Sequence, residues 1–210
     1  MSATRILTPL AFAAFAISMA ALPTVLRAAP PSFNCAEAAS RAEELICGDR
    51  QLALMDVEAT RLFKLVRDSG DRRAEQKQKL NDDRARWLKV RDACWIAEDL
   101  RSCIIASYAV RIHSLRQNHA EARMSDEKGI TRGPFVIRCK DLKPLKATFI
   151  RSDPPVSALQ LPDSLHVGVG AGARYVERSD RGGLLFWTEG NTAHIRMPSG
   201  VGYDCLLQRK

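Results

Sequence analysis

Apolar residues recur at helical spacing through the first half of this chain and in short, turn-bounded runs through the second. Leu52, Met55, Ala59, Leu62, Phe63 and Val66 share one face of a helix that Asp49 is placed to cap. Ser69-Gly70-Asp71 ends that helix and opens the next. The next is polar from Arg72 to Lys79 and carries Leu80, Trp87, Leu88 and Cys94 on its apolar side. A last helix places Leu100, Ile104, Tyr108, Ile112 and Leu115 on one stripe, and a short helical segment from Phe33 to Cys47 precedes all three. Residues 33–120 therefore read as antiparallel helices joined by short turns.

The period then changes. Residues 121–132 are polar and contain Ser125, Asp126 and Gly129, as a linker would. Beyond them come short β-like runs: Phe135 to Cys139, Leu145 to Ile150, Val156 to Leu161, Tyr175-Val176, Leu184 to Trp187, Ala193 to Met197 and Tyr203 to Leu207. Pro144, Pro154-Pro155 and Pro162-Asp163 separate the early ones. The expected fold is α + β in two domains, a helical domain over 33–120 and a small antiparallel β-barrel or sandwich over 133–210. Between two of these runs lies Val167-Gly168-Val169-Gly170-Ala171-Gly172-Ala173-Arg174-Tyr175, with three glycines at alternate positions. Glycine admits positive φ and close approach of another surface, so this stretch reads as a thin loop. From the residues alone it is a glycine-rich hairpin.

Composition adds a compartment. Residues 1–29 form a secretory signal: Arg5 supplies a short positive region, Ile6 to Leu26 carries no charge, and Ala28 or Ala29 is the candidate cleavage position. A membrane anchor is the rival reading, but Pro9 and Pro23 interrupt the run. Cys35 follows Ser32-Phe33-Asn34, which lacks the leucine and small residues of a lipid-attachment box. A periplasmic or secreted protein with no stable membrane anchor is expected. Six cysteines, Cys35, Cys47, Cys94, Cys103, Cys139 and Cys205, allow fifteen pairings, and an even number in an exported chain suggests disulfides. Pairing each within its own structural unit gives Cys35–Cys47, Cys94–Cys103 and Cys139–Cys205. The chain carries +8 overall and +6 once Arg5 and Arg27 leave with the signal. The helical part is near neutral, while residues 133–210 have 11 Lys+Arg against 7 Asp+Glu.

The sequence carries no catalytic, metal or cofactor constellation, so no enzyme and no cofactor is expected. His113, His119, His166 and His194 lack metal-ligand spacing. No serine sits in a nucleophile elbow, and all six cysteines can pair. Glycines 168, 170 and 172 are not followed by the helix and lysine of a phosphate loop. A modest positive excess on an exported chain argues against nucleic acid. Trp87 reads as a core ring and Arg91-Asp92 as a solvated charge pair.

Two resemblances sharpen this. Asn34-Cys35 and Leu45-Ile46-Cys47 with Leu52 and Asp56, then Arg86-Trp87-Leu88-x-x-Arg91-Asp92-x-Cys94 and Cys103-x-x-x-x-Tyr108-x-x-Arg111-Ile112-x-x-Leu115, resemble the LprI-type lysozyme-inhibitor N-terminal domain over residues 33–118. Gly172-Ala173-Arg174-Tyr175, then Phe186-Trp187-x-x-Gly190-x-x-Ala193, with Cys139 ahead and Cys205 behind, resemble the MliC/PliC inhibitors of c-type lysozyme over 133–210. That resemblance implies a lysozyme partner whose cleft is entered by the 167–175 loop. The contact residues it implies are Val169, Gly170, Ala171, Gly172, Ala173, Arg174, Tyr175, Thr188 and Glu189. Family members carry serines where Val169 and Ala171 stand and a lysine where Glu189 stands. The resemblance therefore implies weakened c-type inhibition or a different muramidase. Thr188, Arg174 and the backbone N–H groups of Gly170 to Gly172 are the substitute donors. A second reading is an envelope binding or structural module that recognises an anionic glycan or an envelope protein. The excess charge of the barrel favours an anionic partner, because a basic lysozyme would meet long-range repulsion.

Overall fold

The computed structural model describes residues 30–70, 72–177 and 183–208. The expected signal, 1–29, lies outside them, as does Asp71. The described residues form four α-helices: α1 (Arg41–Gly48), α2 (Arg50–Arg67), α3 (Ala74–Asp92) and α4 (Leu100–Asn118). Their ends follow from side-chain capping. Ser40 accepts from Glu43 N–H, Asp49 from Leu52 N–H and Asp99 from Ser102 N–H, each satisfying a donor that the first turn leaves open. The apolar stripes read for α2 and α4 are buried: Leu52, Met55, Leu62 and Val66 of α2 and Ile104, Tyr108 and Ile112 of α4 have no exposed surface, whereas Leu80, Trp87 and Leu88 of α3 are only half-buried. Cys35–Cys47 and Cys94–Cys103 are bonded, pinning the two ends of the helical part.

Arg91 departs from expectation. It is buried, not solvated. Its guanidinium donates to Asp92 (2.6 Å), Glu43 (3.1 Å) and the hydroxyl of Tyr108 (3.2 Å). Tyr108 in turn donates to Asp56 at 2.9 Å, and Asp56 accepts from Ser32 N–H at 2.6 Å. A buried guanidinium persists only when its donors are matched in this way. Trp87 sits half-buried beside Tyr108 and donates to the Ser107 hydroxyl at 3.1 Å.

Eight strands close into an antiparallel barrel in chain order: β1 (Thr131–Cys139), β2 (Leu145–Ile150), β3 (Val156–Gln160), β4 (Leu165–Ala171), β5 (Arg174–Val176), β6 (Leu185–Glu189), β7 (Thr192–Arg196) and β8 (Gly202–Gln208). Strand β8 returns to β1, and Cys139 faces Cys205 across that seam in a disulfide. The barrel is filled by Ile137, Leu145, Leu159, Tyr175, Phe186, Ile195 and Leu207. Strand β4 was expected as a loop; its alternation is that of a strand.

The two halves share one core. Ile150, Val156 and Ala158, on the outer face of β2 and β3, cluster with Ile105, Ala109 and Ile112 of α4. Strand β3 is thus buried on both faces from Val156 to Leu159, Ser157 included. Polar bonds bracket the apolar seam. Gln51 donates to Pro154 O (2.6 Å), His113 Nδ1 meets the Thr148 hydroxyl (2.9 Å), and Thr131 bonds Glu58. The stretch expected as a linker contains two 3-10 turns, Glu121–Arg123 and Asp126–Lys128. Buried Arg116 holds it through Asp126 (2.7 Å), Ala122 O (3.1 Å) and Gly133 O (2.7 Å).

His113 makes the seam acid-sensitive. Burial, joined by the charge of Lys146, holds its pKa below the usual histidine value, and its buried Nε2 has no hydrogen-bond partner among the described residues. A histidine depressed in the folded state contributes stability above its unfolded pKa of about 6.5, and that contribution is lost as pH falls through the folded value. Urea midpoints should fall from pH 7 to pH 5, and His113→Gln should flatten that slope. His119, also depressed by burial and by Arg72, contributes to the residual slope with the same sign. An identical slope in His113→Gln would refute the assignment. Separately, replacing Cys139 and Cys205 by alanine opens a loop of 66 residues. That should cost about 4 kcal/mol in denaturant unfolding.

Candidate functional site

The glycine-rich stretch is built from the barrel outward. Its odd and even positions face opposite sides. Val167 and Val169 turn outward and pack against the core shared with the helices. Gly168 and Gly170 turn inward, because the ring of Tyr175 occupies the space a side chain would need. A Cβ on Gly170 would lie 2.6 Å from Arg174 O and 2.8 Å from the Tyr175 ring, and one on Gly168 would lie 2.9 Å from Tyr175 Cβ. These two glycines therefore make room for an aromatic residue inside the barrel. Only Gly172, at φ +61°, serves the turn itself.

The exposed tip is correspondingly short. Ala171, Gly172, Ala173 and Arg174 are exposed, Val169 and Gly170 are half-buried, and Tyr175 is buried between Phe149 and Phe186. Tyr175, implied as a contact residue, is a core residue whose burial raises its hydroxyl pKa. Gly170 N–H, one of the substitute donors, is already given to Pro155 O at 2.8 Å.

A second tip lies beside the first. Strands β6 and β7 turn at Gly190-Asn191, with Gly190 at φ +56°. Pairing of β5 with β6 sets Arg174 opposite Trp187, and Thr188 N–H donates to Ala173 O at 3.1 Å. Exposed Glu189 and half-buried Thr188 thus adjoin the first tip. The Arg174 guanidinium lies 5.9 Å from the Trp187 ring, and Trp187 stacks on His194 at 4.8 Å. His194 Nδ1 bonds Asp204 at 2.6 Å. This cross-strand row, Arg174–Trp187–His194–Asp204, props a cation at the tip. Arg174 has no ion-pair partner among the described residues. The sequence reading missed the row. Its signal was present as outward positions at alternate residues of neighbouring strands, but the pairing that aligns them is a tertiary fact.

His166, read as chemically idle, joins Ser164 and Glu177. Its Nε2 meets the Ser164 hydroxyl at 2.7 Å and its Nδ1 meets Glu177 at 2.7 Å. The arrangement ties the 161–164 turn to β4, where Leu161 N–H also donates to Ser164 O. Among the described residues no group of three or more histidine, cysteine or carboxylate side chains could hold a metal ion, and no helix is long and apolar enough to cross a membrane.

Fold and site together define a class: a disulfide-pinned helical unit packed on a closed eight-stranded antiparallel barrel, with two adjoining hairpin ends on the barrel rim. No family model matches the chain. It is similar to Lipoprotein LprI of Mycobacterium bovis and of Mycobacterium tuberculosis, 28% identical over 162 residues that cover 74% of this chain and 74% of each relative. Those relatives are named lipoproteins; here the sulfur of Cys35 is bonded to Cys47.

The packing account of the glycines is testable by denaturant unfolding. Gly170→Ala must push backbone aside and should cost about 1–3 kcal/mol. Gly172→Asn meets open space at a left-handed position that asparagine visits, and should cost less than about 1 kcal/mol. The reverse order would mean that Gly170 serves the turn rather than the core.

Proposed function

We propose that this protein is an exported, lysozyme-inhibitor-like protein that blocks a lysozyme cleft with the tip of the 167–175 hairpin, assisted by the 188–191 turn. Three things support the reading. The chain is similar to mycobacterial LprI over 162 residues, both halves carry inhibitor-like motifs, and two hairpin ends adjoin with an exposed guanidinium between them. The last observation carries it.

A lysozyme cleaves glycan with two carboxyl groups facing across a cleft. A cation delivered there gains charge-assisted hydrogen bonds of about 1.5–3 kcal/mol each. Arg174 is the group fit for that role. Trp187 beneath it limits the rotamers it must give up on binding. Glu189 works against it, because a third carboxylate brought near two others is repelled. Ala171 offers no hydroxyl. The resulting inhibitor is weaker toward c-type lysozymes than one carrying serine and lysine at these positions, or is matched to a different muramidase. Disulfide pairing of all six cysteines agrees with an oxidising compartment.

The test is a titration of c-, g- and i-type lysozymes with the mature chain. One class should be inhibited at a one-to-one ratio, and Arg174→Ala should weaken that inhibition at least about tenfold. Ala171→Ser combined with Glu189→Lys should strengthen inhibition of a c-type lysozyme. No inhibition of any class, with cell-wall fragments retained from envelope extract, would assign the chain to the envelope-binding reading instead.

A further inference from the structure

A groove of about 830 Å³ runs between α4 and the outer face of the β4–β5 hairpin. The helical unit supplies one wall through Ala106 and Val110, and the barrel supplies the other through Val167, Val169 and Val176. Val110 and Val176 are each 42% exposed, so these apolar groups face solvent across the groove. Branching at Cβ keeps the valines stiff, which gives a preformed surface.

The charges around it are unequally satisfied. Asp99 accepts from the N–H and hydroxyl of Ser102 at the start of α4. Arg101 is held by Asp49 (2.6 Å) and Gln51 (2.7 Å). Glu177 is bonded to His166 at 2.7 Å. Arg174, which also lines the groove, is left without an ionic partner among the described residues. Strand β5 pairs with β4 on one side and β6 on the other, so no backbone edge is open here for an added strand. An occupant must be recognised through side chains.

We propose that this groove receives an aliphatic segment from the rim of a partner protein's cleft, with its aliphatic groups on the valine walls and the adjoining cleft carboxylate on Arg174. The proposal deepens the inhibitor reading and rests on it for the identity of the partner. It assigns the helical unit a direct part in binding: α4 forms half of the surface beside the tip. A barrel alone would present Arg174 without that wall.

Two measurements test it on the full mature chain. In the first, ¹⁵N-labelled protein is titrated with the capped peptide acetyl-Leu-Val-Glu-Leu-Val-amide. Saturable amide shifts are expected at Val110, Val167, Arg174 and Val176. Replacing the peptide's glutamate by glutamine should weaken binding about tenfold, as losing a charge-assisted bond does. No saturable shift at these positions at millimolar peptide overturns the proposal. In the second, the lysozyme that binds the wild type is tested against Val110→Glu, which sets a carboxylate into the groove away from the tip. Binding should weaken at least about tenfold. Unchanged lysozyme binding overturns the groove's part in that complex while leaving the inhibitor reading intact. Peptide binding without any lysozyme binding supports the groove and sinks the inhibitor reading.

Discussion

The structure depends on burial of the outer face of β2 and β3 beneath α4. Ile150, Val156 and Ala158 point away from the barrel interior, yet they are as dry as residues inside it. Each fully buried aliphatic side chain there is stabilised by about 1.5–3 kcal/mol relative to exposure. The polar groups that surround the seam fix its register. Buried Arg116 gathers Gly133 O, Ala122 O and Asp126 around one planar fork, and the connection between the halves is bound by it. Glu58 joins Arg61 at 2.8 Å and also accepts from Thr131. Burial pushes that carboxyl up, but the Arg61 and Thr131 bonds outweigh it and hold it below the usual carboxylate range. Helices and barrel are therefore positioned as one body by side chains from both.

That docking decides what the glycine-rich stretch can do. With Val167 and Val169 engaged by the helical core and Tyr175 filling the barrel, most of the hairpin is committed to packing. What remains free is a tip of four residues and the neighbouring turn. The shape is a low rim beside a groove rather than a long finger. Its electrostatics are mixed, with Arg174 and Glu189 both exposed on adjoining hairpin ends. A cation propped on an indole beside an exposed carboxylate favours an acidic partner only where that partner's carboxylate is placed on Arg174 and away from Glu189.

The motif residues of the helical half have a structural explanation. Buried Arg91, Tyr108 and Asp56 form, with half-buried Asp92 and Glu43, a network that pairs the guanidinium and the Tyr108 hydroxyl with acceptors. Burial pushes the Tyr108 hydroxyl well above the ordinary tyrosine range, with the Asp56 charge adding to it. Removing one member would leave the others unpaired in a dry interior, which costs more than the bond itself is worth. Much of the spacing that marks this half is therefore the signature of its interior, although Arg86 of the same motif is exposed.

Local rules were enough to read much of this from the chain. Period 3.6 placed α2 and α4 and named their buried faces, and Asp49 was legible as a cap because its side chain acts on its own neighbours. The three disulfides followed from proximity within each unit. The alternation Val167-Gly168-Val169-Gly170 read instead as a thin loop, because its glycines carry no sign of the Tyr175 ring that fills the space beside them. Other features had no local signal. Arg91 has the composition of a surface residue, and only the convergence of α1, α3 and α4 makes it buried. The row from Arg174 to Asp204 spans four strands, and the groove needs two units that lie more than fifty positions apart in the chain. Residue chemistry determined the elements and their inner faces. Which outer face became covered, and which cation was left uncovered beside it, depended on long-range packing that no short window of sequence contains.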